Sequence, residues 1–176
     1  MNKKSDEILL KACLRNNRKA QKELFDLYKN GMYTICLRIT SDEEDAKDAL
    51  QEGFISVFNS LKSFKGNSTI GAWIKTIMVR TALRKVKKLH FEEIETVEAQ
   101  TDSFDDSFSG EVLHKAIMQL DAGFRTIFML YEVEGYSHKE IAEMTNISVG
   151  TSKSQLHYAK KKLQSIIVNQ YEYERR

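Results

Sequence analysis

Apolar residues along the first third of this chain recur at helical spacing. Ile8, Leu9, Ala12 and Cys13 predict the inner face of a first helix, which Ser5 or Asp6 can cap. After Asn16 and Asn17 a second helix is predicted through Ala20, Leu24, Phe25, Leu27 and Tyr28. Asn30 and Gly31 read as a weak break, after which Met32, Ile35, Cys36 and Ile39 continue the apolar face. Ser41 and Glu44 stand at capping-box spacing ahead of a third helix, with acid in its first turn. Its buried stripe is Ala46, Leu50, Phe54, Val57, Phe58 and Leu61, while Asp45, Asp48, Gln51, Glu52, Ile55 and Asn59 face elsewhere. Residues 64–69, FKGNST, form a loop by composition. Ser68 or Thr69 then opens a fourth helix bearing Ala72, Trp73, Ile74, Ile77, Met78 and Ala82.

The periodicity lapses over 91–110 and returns with Val112, Leu113, Ala116, Ile117 and Leu120, then with Phe124 to Val133. Residues 136–163, YSHKEIAEMTNISVGTSKSQLHYAKKKL, read as two short helices joined by a tight turn. Ser137 and Glu140 make a capping box, Ile141, Ala142 and Met144 a small apolar face, and Asn146 tolerates turn geometry. Ser148 can cap the second helix, whose inner side is Val149, Ser152, Leu156, Ala159 and Leu163. The helix extends toward Ile166 and Ile167, and YEYERR is expected as a frayed tail. The pattern therefore predicts an all-α chain: two small helical domains over 1–90 and 111–176, joined by a linker over 91–110.

Charge gives these helices different surfaces. The whole chain of 176 residues carries only +2, but the distribution is uneven. Between Lys65 and Lys88 the charged residues are Lys65, Lys75, Arg80, Arg84, Lys85, Lys87 and Lys88, with no acid among them. A one-sign helix after a polar loop is an electrostatic footprint for nucleic acid; a solvated basic face is the alternative. From Glu92 to Glu111 the sign reverses and no cation intervenes, which predicts a flexible acidic linker. The outer face of the 136–163 stretch carries Thr151, Lys153, Ser154, Gln155, His157, Tyr158, Lys161 and Lys162. Hydroxyl, imidazole and ammonium groups on a second helix suit base edges and phosphates in a major groove. An ordinary antiparallel helix pair is the alternative. On the third helix an isoleucine, Ile55, stands among acids, which suits docking of a basic partner as well as a solvated acidic face.

Other chemistry is thinly represented. Cys13 and Cys36 are too few for a disulfide framework and are expected as buried thiols in a reducing compartment. MNKKSDEILL lacks a signal peptide's apolar run, and no stretch approaches the ~20 apolar residues of a membrane span. A cytoplasmic location is expected. No phosphate-binding glycine loop, nucleophile elbow or metal-ligand cluster is present in the sequence, so neither an enzyme nor a metal or other cofactor is expected.

Three stretches carry a resemblance to a known family: DEEDAKDALQEGFISVF over 42–58, FKGNSTIGAWIKTIMVRTAL over 64–83, and FRTIFMLYEVEGYSHKEIAEMTNISVGTSKSQLHYAKKKL over 124–163. The chain resembles a bacterial RNA polymerase sigma factor of the extracytoplasmic-function (ECF) group, from about Ile8 to Leu163. The resemblance implies a region 2-like domain and a region 4-like helix-turn-helix domain. Asp45, Asp48, Gln51, Glu52 and Ile55 would dock on core RNA polymerase. Phe64, Lys65, Asn67, Lys75, Arg80 and Arg84 would bind and open the promoter minus-10 element, with a base extruded into the loop. Thr151, Lys153, Ser154, His157, Tyr158 and Lys161 would meet the minus-35 element. An anti-sigma factor is implied as a further partner. The chain departs from the family pattern at Arg80 (usually Asn), Arg84 (usually Asp or Asn), Asp121 (usually Pro, and still expected to cap the helix that follows) and Tyr158 (often Arg). A free-standing helix-turn-helix regulator is the alternative, although a first half that is helical throughout disfavours a phosphoacceptor βαβ domain.

Overall fold

The structure, a computed structural model, describes residues 3–86, 91 and 110–174. The chain divides into two compact units, Met1–Lys87 and Lys88–Arg176, and every described regular element is helical. The acidic linker expected over 91–110 lies almost wholly outside the described residues.

In the first unit, α1 (Lys3–Leu14) packs on α2 (Arg18–Thr40), and α2, α3 (Glu43–Ser60) and α4 (Ile70–Lys85) pack on one another. Leu24, Ile39, Val57, Ile74, Met78 and Val79 fill the space between them and are nearly inaccessible to water. Burial of each such side chain contributes about 1.5–3 kcal/mol before chain entropy is subtracted. Phe25 of α2 meets Phe54 of α3 edge-on, with ring centroids 4.7 Å apart. At Gly53 the α3 backbone lies so close to the Met78 sulfur that a Cβ would collide with it. Cys13 and Cys36 are free and buried. Burial raises both thiols, Cys36 to about 11, so both stay protonated and weakly nucleophilic.

Several expected helix ends move. Helix α1 already begins at Lys3, so Ser5 and Asp6 stand inside it rather than capping it. An exposed helix end finds water for its spare N–H groups, so an added turn costs little. Helix α2 does start after Asn17, whose side chain accepts from the N–H groups of Lys19 and Ala20. It runs unbroken through Asn30 and Gly31. A glycine there costs about 1 kcal/mol against alanine, less than burying Met32, Ile35 and Cys36 on the continuing face returns. The cap of α3 is Asp42, not Ser41: the Asp42 carboxylate accepts from Asp45 N–H at 2.8 Å. Ser41 instead ends α2 in a left-handed conformation at φ 57, donating its N–H to Leu37 O. The expected Ser41–Glu44 box does not form.

The second unit comprises α5 (Gly110–Met118), α6 (Ala122–Phe128), a π-helical turn (Met129–Val133), α7 (His138–Thr145) and α8 (Val149–Glu174). Helix α8 packs against α5, α6 and α7. Ile127, Leu130, Ile141, Ala159, Leu163 and Ile167 form the core. Arg125 braces the α5–α6 joint by donating to Leu120 O at 2.7 Å. Asp121 makes no side-chain cap on α6; its carboxylate binds Lys162 at 2.8 Å instead. The π turn is closed by Glu134 N–H donating to Met129 O at 2.9 Å, and Gly135, at φ 76, supplies the left-handed turn after it. Val149, expected on the inner side of α8, is 41% exposed, because the first residue of the helix projects past α7. The tail expected to fray is helical as far as Glu174.

Candidate nucleic-acid and partner interfaces

Helix α3 is two-sided because its apolar residues recur at helical spacing. Ala46, Ala49, Gly53, Phe54 and Val57 turn inward. Asp48, Gln51, Glu52, Ile55 and Asn59 are exposed and Asp45 is half-buried. Ile55 is 60% exposed, an apolar side chain in an acidic field. The five residues expected to dock on a partner thus share one outward face. Lys85 of α4 reaches this face: its ammonium donates to Glu52 at 2.6 Å and lies 3.7 Å from Asp48. The hydrogen bond to Glu52, then the charges of Glu52 and Asp48, hold Lys85 further into its protonated form. Periodicity does not reveal this pair, since the partners lie 33 positions apart on different helices.

The loop between α3 and α4 begins after a 3-10 turn (Leu61–Ser63). Phe64 is half-buried against Trp73, with ring centroids 5.4 Å apart, which anchors one end. The other end is fixed by Thr69, whose hydroxyl accepts from Ala72 N–H at 3.2 Å as the cap of α4. Between them Lys65, Gly66, Asn67 and Ser68 are exposed, and Gly66 turns the chain at φ 73. A polar loop held at both ends and open in the middle can receive a planar base. Arg80 and Arg84, one turn apart on α4, are exposed, and Arg84 donates to Thr81 Oγ1 at 3.2 Å. Lys75 is half-buried. The minus-10 candidates therefore occupy one contiguous loop and helix.

In the second unit the helix-turn-helix is built as its sequence predicts. Ser137 and Glu140 form the reciprocal capping box of α7. Asn146 takes the left-handed conformation at φ 57, and its N–H donates to Ala142 O. Ser148 Oγ accepts from Thr151 N–H at 2.9 Å at the start of α8. The candidate contact residues of α8 divide. Lys153 and Lys161 are exposed, and Thr151 and Tyr158 are half-buried. Ser154 and His157, expected at base edges, are buried instead, at 1% and 9% exposure. Ser154 turns its hydroxyl back to the carbonyls of Gly150 and Thr151, at 3.2 and 3.1 Å, so its proton is already committed. His157 packs edge-on against the Tyr158 ring, with centroids 5.4 Å apart. Lys162, expected on phosphates, is bound by Asp121 and lies over the Phe124 ring at 4.4 Å. These differences arise because helical periodicity assigns a face to a residue but not what neighbouring elements place on that face.

Sequence comparison matches the two halves separately: residues 24–91 to Sigma-70 region 2 and residues 110–163 to Sigma-70, region 4. Among characterised relatives, the RNA polymerase sigma factor SigV of Bacillus subtilis is 31% identical over 137 residues, covering 76% of this chain and 82% of the relative. The ECF RNA polymerase sigma-E factor of Haemophilus influenzae is 27% identical, covering 93% of this chain and 95% of its own. Among solved structures, CnrH in complex with the cytosolic domain of CnrY shares the fold at a TM-score of 0.54 and 20% identity, covering 93% of this chain and 97% of that one. The sigma factor RpoE of Bartonella quintana, in complex with the anti-sigma factor NepR, shares it at a TM-score of 0.53 and 22% identity, covering 83% and 95%. With a region 2 unit, a region 4 helix-turn-helix unit and relatives of matching length, the chain belongs to the RNA polymerase sigma factors of the ECF group.

Proposed function

We propose that the protein docks on core RNA polymerase through the outer face of α3 and directs it to promoters, with one unit assigned to each promoter element. Residues 1–90 bind polymerase and open the minus-10 element, 91–110 act as an acidic tether, and 111–176 recognise the minus-35 element. The observation that carries this reading is the contrast between adjoining surfaces. Helix α3 presents Asp48, Gln51, Glu52 and a 60% exposed Ile55, whereas α4 presents Arg80 and Arg84. An apolar residue ringed by acids suits a basic protein surface; arginines beside an open polar loop suit phosphates and unstacked bases. On α8 the exposed Lys153 and Lys161, with the half-buried Thr151 and Tyr158, are the residues proposed to contact duplex DNA. No helix among the described residues is long and apolar enough to cross a membrane. The proposed partners, core polymerase and promoter DNA, put the protein in the cytoplasm. The protein acts by binding rather than by catalysis and needs no cofactor. An anti-sigma factor is a further partner, by analogy with CnrH and RpoE, each solved with a bound partner.

Charge reversal on α3 tests the docking assignment. Asp48→Arg combined with Glu52→Arg puts cations where acids face outward, away from the buried stripe. The double variant is expected to keep its far-ultraviolet circular dichroism, to lose little stability with the partly exposed Lys85 pair, and to lose co-elution with core polymerase. Undiminished co-elution would reject α3 as the docking face.

A further inference from the structure

The π turn Met129–Val133 is tied to α8 at two separated points. Glu132 of the turn pairs with Lys160 at 2.8 Å, with side chains 33% and 27% exposed. Tyr131 stacks on His138 of α7, with ring centroids 4.3 Å apart and planes inclined by 23°. His138 Nδ1 is joined to Ser152 Oγ at 2.9 Å, and Ser152 is fully buried. Ser152 and Lys160 stand eight residues apart, about 12 Å along the helix axis at 1.5 Å per residue. Two anchors at that separation fix both the direction of a helix and its rotation, which a single contact cannot do. π turns recur where a helix serves a function, because the extra residue re-aims the side chains that follow it.

We propose that His138 is the positioning residue that aims the first turns of α8, linking the π turn to Ser152 so that Thr151 and Lys153 meet base edges in register. The inference rests on the assignment of the second unit to the minus-35 element. His138 itself is not assigned a DNA contact. It acts through Ser152, which lies between Thr151 and Lys153.

The same contact makes aiming sensitive to pH. The groups facing the ring are Tyr131 and Glu132 from the π turn, Ser152, Lys153 and Lys160 from α8, and the first-turn N–H groups of α7. Burial first, and Lys153 second, hold the imidazole below its ordinary range; Glu132 opposes this and Lys160 adds to it. A folded-state value below the unfolded one means that the neutral ring stabilises the arrangement above the ordinary histidine range, near pH 6.5. That contribution is lost as pH falls below it toward the depressed value. Protonation also adds a cation beside Lys153, on the ring that touches Ser152.

The test is selection from a promoter library randomised across both elements, using holoenzyme assembled from core polymerase and the full chain. His138→Ala is expected to flatten preference in the minus-35 element by roughly tenfold, the size of one lost groove contact, while minus-10 preference persists as the internal control. His138→Gln keeps a hydrogen-bonding group without a titrating one. It is expected to retain the minus-35 preference and to lose the decline that the wild type shows between pH 7.5 and about pH 5.5. His157 is present in every one of these proteins, so the difference between wild type and His138→Gln isolates His138. Intact minus-35 preference in His138→Ala would overturn the positioning role alone. Loss of both elements in His138→Ala and His138→Gln alike would overturn it in favour of a purely structural role. A wild type with no minus-35 preference at any pH would overturn the promoter assignment and this inference with it.

Discussion

Gly53 sets the approach of α3 to α4. Its missing side chain leaves room for the Met78 sulfur, and Met78 is fully buried between the helices. A Cβ alone would press on the flexible end of Met78, but a branched side chain has nowhere to go. Gly53→Val is therefore expected to destabilise the first unit by about 1–3 kcal/mol, the usual range for overpacking. Urea unfolding followed by Trp73 fluorescence measures this, and an unchanged midpoint would show that the interface has slack. Such contacts are hidden in the sequence, where Gly53 looks like a helix weakener and nothing marks Met78 as its partner. Lys85 was likewise visible only as one cation in a basic run, because its link to Glu52 and Asp48 depends on how two helices cross. Ile55 was legible: an isoleucine outside the apolar stripe stands out once the stripe is drawn. Ser154 and His157 were placed on the outer side of α8 by the same reasoning, and the structure buries both.

Specific contacts fix where several elements of this chain begin and end. The loop 64–69 is pinned by the Phe64–Trp73 ring contact at one end and the Thr69 cap at the other, leaving Asn67 exposed between them. Extruding a base costs a few kcal/mol, and a loop that accepts the flipped base offsets that cost. Binding an intact duplex requires no such step. Asn67→Ala is accordingly expected to reduce open-complex formation while leaving affinity for a duplex minus-35 fragment unchanged. Permanganate reactivity of unpaired thymines measures opening, and fluorescence anisotropy measures the duplex affinity. Equal loss of both, or undiminished opening, would reduce the loop to a structural support. At the ends that sequence located correctly, Asn17, Thr69 and Ser137, a short polar side chain accepts from an N–H group of the helix it opens. At Asp121 a lysine 41 positions away takes the carboxylate, and at Ser41 the left-handed end of α2 moves the cap to Asp42. The π turn left no mark in the hydrophobic pattern, since one extra residue near Gly135 resembles an ordinary helix end.

At the scale of the whole molecule, a net charge of +2 conceals surfaces of opposite sign. One faces outward from α3; the others lie along α4 and the exposed lysines of α8. The two-unit organisation was legible because the apolar periodicity stops before 92 and resumes after 111, with a change in charge sign across the gap. A polymerase subunit that must carry DNA on some faces and bind protein on another needs such a division, because one surface cannot favour both a polyanion and a basic protein. A sigma factor makes core polymerase initiate at chosen sites. Run-off transcription tests it most directly, with purified core polymerase, the chain, and a pool of genomic fragments from the same organism. Discrete transcripts are expected that require the chain, share a spaced pair of upstream elements, and disappear with the Asp48→Arg, Glu52→Arg double variant. Transcripts identical with and without the chain, although it remains bound to the polymerase, would show that it does not select start sites.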